Sequence, residues 1–143
     1  MHQVTGSCYC GNVNVSIELP RDPLEYSPRA CDCDFCRKHG ASYFSDPNGI
    51  LCLTVRNRKL LHGYRQGSGT AEMLVCTNCG VLIGGMFKTD IGEFAAINTK
   101  IVDGGITFGE TQTASPKLLG VEEKTERWRR LWFRNVSITF TEA

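Results

Sequence analysis

Eight cysteines in 143 residues, and above all their spacing, constrain this chain more than any other feature. Seven fall into three groups: Cys8 and Cys10 in GSCYCG, Cys31, Cys33 and Cys36 in ACDCDFCRKHGA, and Cys76 and Cys79 in CTNCG. The opening segment MHQVTGSCYCG has no apolar h-region, so the expectation is a chain without a secretory signal, cytoplasmic by default. Thiols stay reduced there, and the cysteine content lies below the roughly 8–10% of short disulfide scaffolds. The spacing therefore reads as metal ligation.

Zinc takes thiolates in tetrahedral geometry, and cysteines one or two residues apart on a tight turn chelate it together. Gly11 and Gly80 directly follow the second cysteine of the first and third groups, where a positive φ turns backbone N–H groups toward sulfur. These two pairs complete one closed four-thiolate site, Cys8, Cys10, Cys76 and Cys79. It spans the 65 residues between Cys10 and Cys76. A closed site of this kind is structural, and its binding energy is folding energy. The competing reading, a redox-active Cys76–Cys79 pair, lacks a surrounding βαβ pattern.

Cys31, Cys33 and Cys36 differ, because three thiolates hold a metal and leave the fourth tetrahedral position open, the arrangement of a catalytic zinc. The alternative is closure by a remote residue, with Cys52, His39 and His62 as candidates. Cys52 sits in ILCLTV and alternates with Ile50 and Thr54, which favours an inert buried thiol. Arg37 and Lys38 follow Cys36 directly. They are expected to offset the negative charge of a thiolate site and to hold an anionic substrate, or else to be solvated surface charges.

Short strands joined by glycine-rich turns predict a mainly β, two-sheet fold in a single domain over residues 1–143. Val13, Val15, Ile17 and Leu19 alternate with polar residues. Further strands are expected at Ile50 to Val55, Lys59 to Tyr64, Ala71 to Cys76, Val81 to Phe87, Phe94 to Ile97 and Val136 to Phe140. A short helical turn is expected after Cys36. Hydrophobic residues make up 41% and charged residues 22%, which excludes wholesale disorder. No apolar run reaches the roughly 18–20 residues of a membrane span. The net charge of +1 gives no basic excess toward nucleic acid.

Val121 to Phe133 reads as a helix, with Trp128, Leu131 and Trp132 on one apolar stripe and i,i+4 pairs Glu123–Arg127 and Glu126–Arg130. Basic residues interleaved with aromatics, as in KTERWRRLWFR, are also a single-strand nucleic-acid pattern. The shared stripe and the helix-spaced glutamates favour an inward-packed helix instead. Oligomeric state is not legible.

The three cysteine motifs, in this order and at these separations, resemble the glutathione-dependent formaldehyde-activating enzymes, whose superfamily includes centromere protein V. The resemblance continues into AINTKIVDGG, at Ile97, Asn98, Asp103 and Gly104, and covers roughly residues 4–110. Tyr9 stands where members often have His, and Gln112 to Phe133 matches no family motif. The resemblance implies a β-tent fold and two zinc ions, one on Cys8, Cys10, Cys76 and Cys79 and one on Cys31, Cys33 and Cys36. It also implies a carbon–sulfur lyase that condenses glutathione, or a related small thiol, with formaldehyde to S-(hydroxymethyl)glutathione. The notable alternative is a non-catalytic zinc module that binds a thiol or nucleic acid. In the catalytic reading the bound thiolate attacks formaldehyde and a nearby acid, His39 or Tyr43, protonates the alkoxide.

Overall fold

The computed structural model describes residues 1–141. Eleven strands and two α-helices follow one another as β1 (His2–Ser7), β2 (Val13–Leu19), β3 (Arg29–Cys31), α1 (Asp34–His39), β4 (Tyr43–Phe44), β5 (Ile50–Val55) and β6 (Leu61–Arg65). Then come β7 (Glu72–Cys76), β8 (Leu82–Thr89), β9 (Gly92–Asn98), β10 (Gln112–Ala114), α2 (Val121–Leu131) and β11 (Asn135–Phe140). They form a four-stranded sheet, β1-β2-β5-β11, and a seven-stranded sheet, β10-β3-β4-β9-β8-β7-β6. The mainly β, two-sheet expectation holds.

Alternation decides which faces meet. On β2 the residues Val13, Val15, Ile17 and Leu19 are buried, and on β5 Leu51, Leu53 and Val55 join them. They pack against Phe44, Leu74, Ile83 and Ile97 of the larger sheet to make the principal core. The larger sheet is covered on its other face too. Phe94 and Ala96 point away from Ala95 and Ile97, and together with Met73, Leu82, Phe87 and Trp132 they form a second cluster beneath the helices. Burial on both faces explains why β8 reads as one apolar run, LIGGMF, rather than as an alternation.

Phe133 locks α2 to this framework. Its backbone exchanges two hydrogen bonds with Ala95, at 3.0 and 2.9 Å, and its fully buried ring meets Phe44 edge-on at 6.1 Å. The helix accordingly stops at Leu131, two residues short of the expected end, because residue 133 is needed as an extended partner of β9. The family-like segment is structural as well. Asn98 Nδ2 donates to the Leu82 carbonyl at 2.9 Å, and Thr5 donates to the Asp103 carboxylate at 2.7 Å.

Other expectations shift in detail. The segment expected as a strand from Lys59 starts as a 3-10 turn, Arg58–Leu60, because the Asn57 side chain accepts the Lys59 N–H. The helical turn placed after Cys36 instead begins before it, at Asp34. Neither Glu123–Arg127 nor Glu126–Arg130 closes to an ion pair, the ion pairs among the described residues being Arg21–Asp46, Arg37–Asp34 and Arg65–Glu72.

Candidate metal centres and the cavity beside them

Two tight turns bring the first and third cysteine groups together. Cys8 and Cys10 lie in the β1–β2 turn, Cys76 ends β7, and Cys79 lies in the turn into β8. Gly11 and Gly80 both have φ of 80°, the left-handed conformation that each turn requires after its second cysteine. The four sulfurs all lie within 4.8 Å of one another, with Cys8–Cys10 at 3.7 Å and Cys10–Cys76 at 3.6 Å. Zinc–thiolate bonds of about 2.3 Å put neighbouring sulfurs about 3.8 Å apart in a tetrahedron, so the donor set fits. The Val13 N–H donates to Cys8 Sγ at 3.3 Å. A hydrogen bond with Asn78 leads the causes that lower Cys10 to about 6, and burial leads those that raise Cys76 to about 12. A cation among the four sulfurs would favour the thiolate at the buried Cys76, which burial disfavours.

The second cluster is built by one strand end and one short helix. Cys31 closes β3, Cys33 caps α1 with its sulfur accepting the Cys36 N–H at 3.4 Å, and Cys36 points inward from the helix. These three sulfurs also lie within 4.8 Å of one another. The hydrogen bond between Cys36 and Cys31 pushes Cys31 down to about 6 and Cys36 up, burial adding to the rise at Cys36. The Tyr43 hydroxyl lies 3.1 Å from Cys36 Sγ. Among the described residues these are the two groups of three or more metal-type ligands that converge.

Cys52 belongs to neither. It is half-buried on β5, on the face opposite Leu51 and Leu53, so the buried position expected for it is corrected. His39 and His62 are exposed, and His39 packs its ring against Phe35 at 4.7 Å. None of the three residues proposed to close the second site is part of it.

All three cysteines of the second cluster line a cavity of about 210 Å³ on the outer face of the larger sheet. Met73 and Gly85 form part of its lining, as do Gln66, Gly67 and Ser68 from the β6–β7 loop. Gln66 Nε2 reaches to 4.0 Å from Cys33 Sγ. Tyr43 lines the cavity; His39 does not. Arg37 and Lys38 do not line it either. They lie exposed on α1, and Arg37 faces Asp34 at 3.7 Å.

The cations that do face the cavity are Arg29, Lys117, Lys124 and Arg127, and no carboxylate accompanies them in the lining. Arg29 donates to the buried Ser45 hydroxyl at 2.7 Å, and Ser45 donates to the Leu131 carbonyl at 2.6 Å, tying β3 to the end of α2. Burial, and secondarily Arg127, lowers Arg29 to about 10. Sequence reasoning missed these cations. The i,i+3 and i,i+4 spacing of Lys124, Arg127 and Trp128 was the available signal.

Trp128 and Trp132 also line the cavity and stack on each other, with centroids 4.7 Å apart and planes at 21°. The indoles of the basic–aromatic segment therefore face inward rather than presenting a base-stacking surface to solvent. No described helix is long and apolar enough to cross a membrane.

Residues 3–118 match the family described as glutathione-dependent formaldehyde-activating enzyme. A crystal structure of a Rhodobacter sphaeroides protein is similar, with a TM-score of 0.51 and 25% identity over 76% of this chain and 99% of that one. No curated protein matches the chain.

Proposed function

Because the chain belongs to the glutathione-dependent formaldehyde-activating enzyme family, we propose that it joins a small thiol to an aldehyde at Cys31, Cys33 and Cys36. Glutathione and formaldehyde, giving S-(hydroxymethyl)glutathione, are the pair the family suggests, which makes the protein a carbon–sulfur lyase named for the reverse reaction. The observation that carries this reading is a three-cysteine cluster on the wall of a cavity lined by four cations. We assign zinc to both clusters. The Cys8, Cys10, Cys76 and Cys79 site holds the fold, and the Cys31, Cys33 and Cys36 site faces substrate.

Cys31, Cys33 and Cys36 would hold the zinc ion, which would supply Lewis acidity toward an incoming thiol. The chain's residues do the rest. With Cys36 ionised, the Tyr43 hydroxyl 3.1 Å away donates a hydrogen bond to its sulfur, favouring the thiolate a ligand must be. Arg29 and Arg127 draw the carboxylates of the thiol into the cavity, the role expected of Arg37 and Lys38 from sequence. In the condensation the thiol S–H bond breaks and a sulfur–carbon bond forms. The carbonyl π pair moves to oxygen, which takes a proton and becomes the hydroxyl of the adduct. Orientation of a thiol and an aldehyde in one cavity is the main contribution a protein can make to an addition that proceeds readily in water.

The test is exchange of labelled formaldehyde with S-(hydroxymethyl)glutathione at equilibrium, with the uncatalysed rate subtracted. Exchange faster than background that disappears in Cys33→Ser supports the reading. Thiol binding without acceleration overturns catalysis and leaves a thiol-binding module.

A further inference from the structure

Addition of a thiol to an aldehyde builds negative charge on the aldehyde oxygen, and a hydrogen-bond donor placed where that charge develops lowers the barrier. The neutral polar side chains of the cavity narrow the choice of donor. The Tyr43 hydroxyl faces Cys36 at 3.1 Å, and the Ser68 hydroxyl pairs with Thr70 at 2.9 Å. The indoles of Trp128 and Trp132 stack on each other at the α2 wall. The cations are spoken for as well, since in the thiol–aldehyde reading Arg29 and Arg127 hold the carboxylates of the thiol. Gln66 remains.

Its side chain is half-buried in the lining, and Nε2 stands 4.0 Å from Cys33 Sγ, its one side-chain contact among the described residues. A carboxamide carries two N–H donors, so turning one toward sulfur leaves the other unspent. Being neutral, it forms no ion pair with a thiolate or a carboxylate. It can therefore face a developing oxyanion beside the cluster without being drawn away.

The β6–β7 loop holds the carboxamide there. The Gln66 carbonyl accepts the Gly69 N–H at 3.0 Å, and Gly67 and Gly69 take φ of 60° and 70° to close the turn. Arg65 fastens the turn to β7. One of its guanidinium nitrogens donates to the Gly69 carbonyl at 2.7 Å, and the other pairs with Glu72 at 3.0 Å. Gly63 makes room for that pair, because a Cβ there would lie 2.6 Å from Glu72 Oε2. A donor presented by a braced turn is set in place before the reaction begins.

We infer that Gln66 is a catalytic residue whose carboxamide N–H donates to the aldehyde oxygen as the thiol sulfur adds to the carbonyl carbon. The thiol S–H bond breaks, the sulfur–carbon bond forms, and the carbonyl π pair moves to oxygen. The proton lost by the thiol returns to that oxygen through solvent, and the carboxamide keeps both of its own. The inference rests on the thiol–aldehyde reading.

The test compares metal-loaded wild type with Gln66→Leu, Gln66→Glu and Gln66→Asn by metal content per chain, by glutathione affinity in calorimetry, and by exchange of labelled formaldehyde with S-(hydroxymethyl)glutathione above background. Gln66→Leu should keep the wild-type metal content and a glutathione affinity within about twofold, while exchange falls by about tenfold or more. Gln66→Glu, which puts an acceptor where the donor stood, should fall as far. Gln66→Asn, which keeps the amide one methylene shorter, should recover part of the rate. A rate loss matched by an equal loss of metal or of glutathione affinity overturns the inference, because Gln66 then supports Cys33 and not the aldehyde. Undiminished exchange in Gln66→Leu overturns it as well. Wild-type exchange no faster than background defeats the thiol–aldehyde reading and takes this inference with it, so the wild type tells the two failures apart.

Discussion

Cys76→Ser and Cys33→Ser each remove one sulfur from a cysteine cluster to which we assign a metal, but they should differ in what they cost the fold. Cys76 is fully buried at the end of β7, and its cluster joins that strand to the β1–β2 turn across the 65 residues between Cys10 and Cys76. A metal clip stabilises by closing a loop that the unfolded chain leaves open, and long loops gain most. The chain-entropy relation used for cross-links gives about 4 kcal/mol for a loop of this length at 25 °C. Cys31, Cys33 and Cys36 lie within one short stretch, for which the same relation gives about 2 kcal/mol. Ligands so close in sequence also chelate metal in the unfolded chain, which reduces the stabilisation further. Domains of this general size lose roughly 3–4 °C of Tm per kcal/mol. Thermal melts of the metal-loaded proteins should therefore show a fall on the order of 15 °C for Cys76→Ser and about 7 °C or less for Cys33→Ser. Metal content per chain, measured on the same samples, should drop by one equivalent in each. Equal falls in Tm, or a larger fall for Cys33→Ser, would refute the division between a structural and a substrate-facing cluster.

Cys52→Ala should leave metal content unchanged and cost about 1 kcal/mol or less, read from denaturant midpoints, since the thiol is half-buried and outside both clusters. Gly84→Ala should destabilise by about 1–3 kcal/mol or more, because the added Cβ would lie 2.2 Å from the Ala96 carbonyl oxygen on the neighbouring strand. The Tyr26 hydroxyl, which donates to the buried Asp46 at 2.6 Å, is raised to about 12 by burial first and then by that hydrogen bond. A raised folded value means its contribution is whole below the unfolded value of about 10 and is lost as pH climbs toward 12. Urea midpoints should fall over that interval in the wild type, and Tyr26→Phe should lose that fall while costing about 1–3 kcal/mol at neutral pH.

The parts of the fold that were legible are those whose burial is decided along one strand. Val13 to Leu19 alternates because one face of β2 meets the core, and Ile50 to Val55 was found with its bounds intact. β3, β4 and β10 are two or three residues long and owe their existence to pairing with distant strands, Arg29 with Tyr43 and Ala114 with Cys31. A segment of that length has no period to read. β1 escaped for another reason. It is an edge strand of HQVTGS, in which the side chain of Val4 is the one large apolar group that the core receives. The end of α2 followed a similar logic, since the stripe through Trp132 continued in sequence while Phe133 was claimed by Ala95.

The site divides along the same line. Ligands that chelate from one turn announce themselves in sequence, and all seven cysteines assigned to clusters converge in those clusters. Arg37 and Lys38 lie outside the cavity lining because adjacency in sequence is not adjacency on a helix. Successive residues of α1 point about 100° apart, so with Cys36 turned toward the cavity Arg37 and Lys38 rotate into solvent. The residues that replace them come from β3, from the segment after β10 and from α2, separated from Cys36 by up to about ninety positions. What makes them converge is a chain of specific contacts: Phe133 on Ala95 anchors the end of α2, Ser45 joins Leu131 to Arg29, and Ala114 beside Cys31 brings Lys117 to the rim. The cysteine cluster was thus written locally, and the rest of the cavity lining was written by packing. That separation lets the wall formed by α2 vary by substitutions that never touch any of the seven clustered cysteines.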